Sequence, residues 1–518
     1  MFANLYSIAY IAVLLSAAVY FYLREREQAA GYAKKSFWVS TLLYIFSLFF
    51  AEGGFLYSLL GLLTPDIAFM AAVILILNRF APRPKVIYFT IFAVFAGIKL
   101  FFIQPGIEAL WLSAEEETPQ QTEIQVDPQA ELLLDISSHE AFSALQPVIE
   151  KYDLEFVLAF PNIKHPEYTE LDDYYTVNIP AAHEAARKEI QKALLATGVV
   201  DDVEPNEIIQ LSPIVPTEKV QRPGKPKYGL DDPGLDKMWG FEAMQAAELF
   251  QFIRDKNIKP KKKAKIAILD TGVESDHEDI SDNYFSTSEK YDYDKLGHGT
   301  HCAGIAAAVS NNGKGIASFS PNGEFVEVTS IKVLSDNGYG TQKGVLDGII
   351  KAADSKVDVV SMSLGGPSNQ ARQRAYNKAF EYVNKSGAVA VVAAGNSNAS
   401  ATRFSPANSE GVITVAAIDP ENSRASFSNK VGELKMGVAA PGVNIYSTFP
   451  NGEYKFLNGT SMATPYVAGL LGMMKSLNPE LTTAEAYELL NKTGKDTNDT
   501  EDTGKLIQAG AVVKAMQN

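Results

Sequence analysis

Three residues in this sequence are of types that cooperate in acyl transfer. Ser461 sits in Asn458-Gly459-Thr460-Ser461-Met462-Ala463-Thr464-Pro465, just before Tyr466–Leu477, an apolar run that reads as a buried helix. A helix N-terminus offers unpaired N–H groups and the positive end of the helix dipole. Ser461 therefore reads either as an N-cap, a position serine favours, or as a nucleophile placed where charge on an attacked carbonyl is stabilised. Asp270 ends Lys265-Ile266-Ala267-Ile268-Leu269-Asp270-Thr271-Gly272. An apolar run without alternation suggests a strand buried on both faces of a parallel sheet, and ligands bind beyond the carboxyl ends of such strands. Asp270 is then a carboxylate aimed at a site, or an Asx turn. His298 lies in Gly297-His298-Gly299-Thr300-His301-Cys302-Ala303-Gly304, which opens the helical run Ile305–Val309. His298 and His301 also have a zinc-like i, i+3 spacing, but no further ligand cluster accompanies them.

A serine hydroxyl is a poor nucleophile until a base takes its proton. The base, usually histidine, needs a group that fixes its tautomer. Asp270, then His298, then Ser461 is one of the known chain orders for that constellation. The three motifs, in this order and at these separations, resemble the subtilisin-like serine endopeptidases, the subtilases. Cys302 in the histidine motif and Arg403-Phe404-Ser405-Pro406-Ala407 are similar to the proteinase K branch. The resemblance spans roughly Asp232 to the C-terminus.

That resemblance implies an α/β fold, a parallel sheet with helices on both faces, in a catalytic domain over 230–518. It implies hydrolysis of polypeptide substrates through an acyl-enzyme intermediate, with no cofactor in the chemistry. Ala393-Ala394-Gly395-Asn396 matches the family's oxyanion motif, so Asn396 donates one hydrogen bond to the oxyanion and the Ser461 N–H the other. Substrate is expected as an added strand between Gly338-Tyr339-Gly340 and Ser363-Leu364-Gly365, with Ala393, Ala394 and Gly395 lining the primary pocket. Tyr339 shapes an outer subsite or simply packs at the surface. His277 and Asp279 fall in a segment read as structural, and Cys302 is read as a small buried residue. The family's calcium loop corresponds to Ser310-Asn311-Asn312-Gly313-Lys314. It is short and carries a lysine where oxygen ligands are needed, so calcium is not supported there and no metal residue is assigned.

Other segments must anchor and restrain such a domain. Residues 1–105 carry apolar runs at Ala3–Leu23, Phe37–Leu62, Ile67–Phe80 and Val86–Ile103, read as about four transmembrane helices. Arg24, Arg26, Lys34 and Lys35 follow the first run, and Arg79, Arg83 and Lys85 follow the third. By the positive-inside rule both loops are cytoplasmic, which puts the N-terminus and everything after Gln104 on the extracytoplasmic side. Glu52 and Lys99 read as a turn residue and a snorkelling end residue. Residues 106–129 form an acidic linker.

Residues 130–211 show a β-α-β-β-α-β pattern, a small α+β sandwich. Glu131–Ile136, Phe156–Phe160, Tyr174–Ile179 and Val199–Val203 read as strands. Helices are expected from Ser138 as cap to about Tyr152 and over Ala181–Thr197. The ending Val203-Glu204-Pro205-Asn206, followed by Ile208-Ile209-Gln210-Leu211, resembles the inhibitor-like propeptide of subtilisin-type proteases, whose tail lies in the cleft. His139, His165 and His183 read as pH sensors for its release or as ordinary surface histidines. Residues 212–229, rich in proline, form a linker with the expected processing site.

The net charge of −15 excludes a nucleic-acid partner, which needs a basic face. One cysteine excludes an intrachain disulfide. A competing class is a non-catalytic peptide-binding receptor built on the same domain. Loss of a triad residue or of Asn396 would mark it, and all four are present. A separate transport or sensing role for the membrane part finds few ionisable residues in the spans.

Overall fold

The computed structural model describes residues 125–211 and 229–517, with a few isolated positions before residue 42. The expected transmembrane runs and the 212–229 processing linker lie outside the described residues, apart from those few positions and Gly229. Among the described residues no helix is long and apolar enough to cross a membrane. The chain divides into two units, Met1–Glu123 and Ile124–Asn518.

The second unit begins with a four-stranded antiparallel sheet, ordered β2-β3-β1-β4. Its elements run β1 (Leu132–Ile136), α1 (Gln146–Tyr152), β2 (Glu155–Leu158), β3 (Tyr174–Asn178), α2 (Arg187–Leu195) and β4 (Val200–Pro205). The expected long helices are each divided. His139–Leu145 and Ala181–Ala186 are 3-10 helices leading into α1 and α2, and Ser138 makes no side-chain cap bond. Pro147, in the first turn of α1, has no N–H to continue an α-helix from the preceding turn. Leu132, Leu134 and Ile136 pack with Ile190 and Leu194 of α2. Leu133, on the opposite face, joins the core of the larger body, as strand alternation requires. Hence every residue of β1 is buried.

After β4 the chain leaves this sheet. β5 (Ile208–Gln210) pairs antiparallel with β8 (Tyr339–Thr341) of the larger body.

The larger body is a seven-stranded sheet ordered β17-β14-β13-β11-β9-β6-β7. Its strands are β6 (Ala264–Asp270), β7 (Val326–Lys332), β9 (Val359–Met362), β11 (Val389–Ala393), β13 (Val412–Ile418), β14 (Gly437–Pro441) and β17 (Lys505–Leu506). All neighbours are parallel. Ile266 and Ile268 of β6 enter one core, while Ala267 and Leu269 enter the other. This two-sided burial accounts for the strand's lack of alternation. Helices α3 (Trp239–Ala243), α4 (Ala246–Lys256), α5 (His298–Ala307) and α8 (Thr460–Leu477) contribute to the first core. Helices α6 (Gln342–Asp354) and α7 (Gln370–Lys385) contribute to the second. Every residue of α8 is buried. Its Lys475 ammonium is held by the carbonyls of Gly387 at 2.8 Å and Leu481 at 3.1 Å. That pairing offsets the cost of burying a charge.

Candidate active site

Two crossovers of the parallel sheet, one through α5 and one through α8, carry the chemical residues. Asp270 is the last residue of β6, His298 the first of α5 and Ser461 the second of α8. All three are buried, with Ser461 8% exposed. His298 Nδ1 lies 2.8 and 2.9 Å from the two Asp270 carboxylate oxygens. As the donor there, Nδ1 carries the proton and Nε2 is left as the basic nitrogen. Burial works against the imidazolium and the Asp270 carboxylate works for it. The balance lies well above the ordinary histidine value.

The approach of α5 to β6 depends on Gly299. A Cβ there would collide with the Gly272 carbonyl oxygen and lie 3.1 Å from Asp270 Cβ. Asp294, which the sequence reading missed, fixes the start of α5. Its buried carboxylate accepts from the Gly297 and Thr300 N–H groups at 2.9 Å each, and from the hydroxyls of Thr271 and Thr300. The available signal was an acid just ahead of a helix start, where its charge is stabilised.

The α8 N-cap is Gly459, so Ser461 lies inside the first turn and is not the cap. Pro465 has no N–H for the Ser461 carbonyl four residues earlier. Ser363 Oγ at 2.9 Å and Cys302 Sγ at 3.4 Å donate to that carbonyl instead. Ser461 Oγ in turn donates to the Ser363 carbonyl at 3.2 Å. Ser363, read from sequence only as a substrate-binding residue, thus holds the Ser461 turn from both sides. Burial pushes the Cys302 thiol up, which keeps it a proton donor. Asp270, His298 and Cys302 offer polar atoms within 4.8 Å of one another. His298 Nδ1 is committed to Asp270 and the protonated thiol to the Ser461 carbonyl, so hydrogen bonds occupy this cluster.

Asn396 follows β11. Its Oδ1 accepts from the N–H and the hydroxyl of Thr460, each at 2.9 Å, which fixes the amide and leaves Nδ2 as a donor. A Cβ built on Gly459 would lie 3.5 Å from both Asn396 Nδ2 and the Ser461 nitrogen. Two donors therefore border a space that a side chain at Gly459 would fill.

The remaining expected residues divide between the Ser461 turn and the tail. Gly395 N–H donates to Thr460 Oγ1 at 3.1 Å, and Ala394 N–H to Val415 O at 3.0 Å. Leu364 is buried, and a Cβ on Gly365 would meet the Ser405 carbonyl at 2.9 Å. Ile209 is opposite Gly340 and Gln210 opposite Tyr339, while Leu211 N–H donates to Gly338 O at 2.9 Å. Tyr339 is 42% exposed and its hydroxyl accepts from Gln210 Nε2 at 3.0 Å.

The two histidines that could have shared zinc serve different ends. His301 Nε2 lies 3.1 and 3.0 Å from the carbonyls of Ile445 and Lys455, and burial holds its pKa down at about 3. His277 Nε2 bonds Glu453 O, and its Nδ1 accepts from the Asp279 N–H, a structural arrangement. Of the three other histidines, His139 lies near Tyr175 and Asp173, His165 near Glu167 and Tyr168, and His183 edge-on to Tyr152. All these side-chain partners lie within residues 130–211.

Comparison with known proteins places this site in a wider set. Residues 261–509 match the model of the subtilase family. Subtilisin DY of Bacillus licheniformis is 41% identical over 248 residues, 46% of this chain and 87% of that protein. Thermitase of Thermoactinomyces vulgaris is 45% identical over 219 residues, 41% of this chain and 75% of that protein. A solved protease structure from Pseudoalteromonas arctica is 28% identical, with a TM-score of 0.48, covering 55% of this chain and 99% of that one.

Proposed function

Because the chain belongs to the subtilase family and is a serine endopeptidase, we propose that it is made as a membrane-anchored zymogen that processes itself. In this reading Ser461 Oγ turns from the Ser363 carbonyl to His298 Nε2, gives up its proton and attacks the substrate carbonyl. His298 then passes that proton to the leaving amine, and Asp270 stabilises the intervening imidazolium. The Ser461 N–H and Asn396 Nδ2 bind the oxyanion. Water cleaves the acyl-enzyme by the same steps in reverse. No cofactor takes part.

Residues 130–211 act as an intramolecular prodomain and inhibitor. The observation that carries this is the pairing of β5 with β8, continued by Leu211 N–H to Gly338 O. An extended strand added to an open edge is how a peptide substrate is held. Processing falls between Leu211 and Gly229. The runs within 1–105 anchor the precursor in the bilayer, with the N-terminus and the catalytic domain on the extracytoplasmic side. Polypeptides are the substrates, and the acidic chain takes no nucleic-acid partner.

The reading assigns no calcium to the loop 310–314. Asp279 Oδ2 accepts from the Ile316 N–H at 2.7 Å and Oδ1 from Asn312 Nδ2 at 2.9 Å. Both Asp232 carboxylate oxygens accept from the Asn311 N–H, and Asn312 Oδ1 from the Lys314 N–H. These oxygens are turned to N–H groups of the loop, and Lys314 brings a positive charge where calcium needs a further oxygen ligand.

Expression of the full chain beside its Ser461→Ala variant tests the processing claim. The wild type yields a species with a new N-terminus between residues 211 and 229, and Ser461→Ala stays intact. An active wild-type enzyme that remains full length would rule self-processing out.

A further inference from the structure

Five carboxylates within residues 130–211 face a basic helix. Lys378 of α7 pairs with Asp135 at 2.8 Å and Glu170 at 3.3 Å, Arg374 pairs with Asp202, and Arg372 with Glu207. Buried Glu204 lies in the same field. The contacts differ in kind. Asp135, Asp202 and Glu204 are carried by the folded sheet, on the face that Leu133 presents to the larger body, so no short peptide could reproduce them. Glu207 instead stands directly before β5, on the extended tail.

Arg372 is a built site rather than a surface charge. It is 2% exposed. Its guanidinium pairs with the Glu207 carboxylate through one terminal nitrogen and donates to the Pro367 carbonyl through the other. Pro367 lies in β10 (Gly366–Pro367), which directly follows the Ser363–Gly365 segment. The tail backbone at this point is also held. The Gln342 N–H donates to Glu207 O at 2.9 Å, and the Lys343 N–H to Asn206 Oδ1 at 3.0 Å. Both donors belong to the first turn of α6, directly after β8.

When the small sheet and its tail depart together, the guanidinium loses both the Glu207 carboxylate and the nearby Glu204, while the Pro367 carbonyl still accepts from it. A charged group in such surroundings gains from a carboxylate partner and is penalised by a like charge. We infer that Arg372 forms an outer substrate subsite that selects Asp or Glu at the position Glu207 occupies, one residue ahead of the segment that pairs with Tyr339–Thr341. Lysine there is rejected. This rests on the proposed reading of the tail as a substrate-like occupant of the cleft, and it makes Arg372 a specificity residue remote from the reacting atoms.

The test uses enzyme expressed as the full chain and allowed to process itself, with three internally quenched peptides copying residues 205–229. They differ only in carrying Glu, Gln or Lys at the place of Glu207. The Glu peptide should exceed the Gln peptide in kcat/KM by on the order of tenfold, with the Lys peptide lower still. In Arg372→Gln the Glu-over-Gln ratio should fall to about one, and Arg372→Lys should keep an intermediate ratio. Each ratio compares peptides on one preparation, so a variant that is only partly folded still gives a reading. Equal cleavage of the Glu and Gln peptides by wild type overturns the subsite and leaves the tail reading standing. If no peptide is cleaved while Ser461 reacts fully with a fluorophosphonate probe, the tail reading itself fails and the inference falls with it.

Discussion

If the tail closes the cleft as proposed, two of its apolar side chains, Ile209 and Leu211, set how firmly it does so. They are 4% and 8% exposed and join a core otherwise supplied largely by the body of the enzyme. Leu211 Cβ lies 3.4 Å from the point a side chain on Gly338 would occupy, where Leu296 also approaches. Truncation to alanine removes three carbons from either residue. At about 0.8 kcal/mol per buried methylene this costs roughly 2.5 kcal/mol of docking energy for each, before any cavity term. An equilibrium shift of that size is roughly 50- to 100-fold. The Ser461→Ala chain cannot process itself, so its tail competes in cis with any peptide added in trans. A fluorescent peptide copying residues 205–211, followed by anisotropy, should bind this chain weakly. Ile209→Ala or Leu211→Ala in the same background should tighten apparent binding by up to that factor. The gain stops once the tail is mostly displaced, because the peptide then binds at its intrinsic affinity. Equal affinity for all three chains would refute the claim that the tail occupies the cleft.

Three further outcomes are expected. Asn396→Ala should lower kcat by about 10²–10³ with little change in KM, a range taken from the equivalent donor in the related enzyme subtilisin rather than worked from this geometry; a loss under threefold in active-site-titrated enzyme would remove Asn396 from the oxyanion site. His298 must be neutral to act as base, and its pKa is raised against burial by Asp270. Activity should therefore fall as pH drops, with its midpoint above 6.5. In Asp270→Asn, where the carboxylate no longer opposes burial, that limb should move to lower pH on a much reduced plateau, and an unmoved limb in a kcat/KM profile would contradict the assignment. Ser363→Ala and Cys302→Ala each leave the Ser461 carbonyl one donor, so each should cost about 1 kcal/mol or less; the double variant orphans a buried carbonyl and should cost more than their sum. Denaturation of the four chains in the Ser461→Ala background measures this, and strict additivity would count against it.

The parts of the site legible in the sequence were those where chemistry dictates residue type. Asp270, His298, Asn396 and Ser461 stand in small, glycine-rich contexts because other backbones must pass close by, as the Gly299 approach to Gly272 illustrates. β6 was legible because burial on both faces removes alternation. Contacts between distant segments were not. The strand signal at Ile208–Leu211 does not by itself name a partner; the cleft came from the family resemblance, and the register against Tyr339–Thr341 only from the structure. Nor does the pattern around Ser363 announce that its hydroxyl replaces the N–H missing at Pro465. The α8 start at Thr460 was hidden because Thr460–Thr464 lacks an apolar period, although the whole helix is buried. Arg372 carries no signal in the sequence beyond a charge on a helix, since only its contact with Glu207 shows what it faces.

The central claim is that Ser461 is the nucleophile, activated by His298 and Asp270 once the tail leaves. Labelling of the processed enzyme with a fluorophosphonate, followed by peptide mapping, tests it most directly. One equivalent on Ser461 in wild type, and none in Ser461→Ala, is the predicted result. Equal labelling of both proteins, or no labelling of a verified processed form, would contradict it.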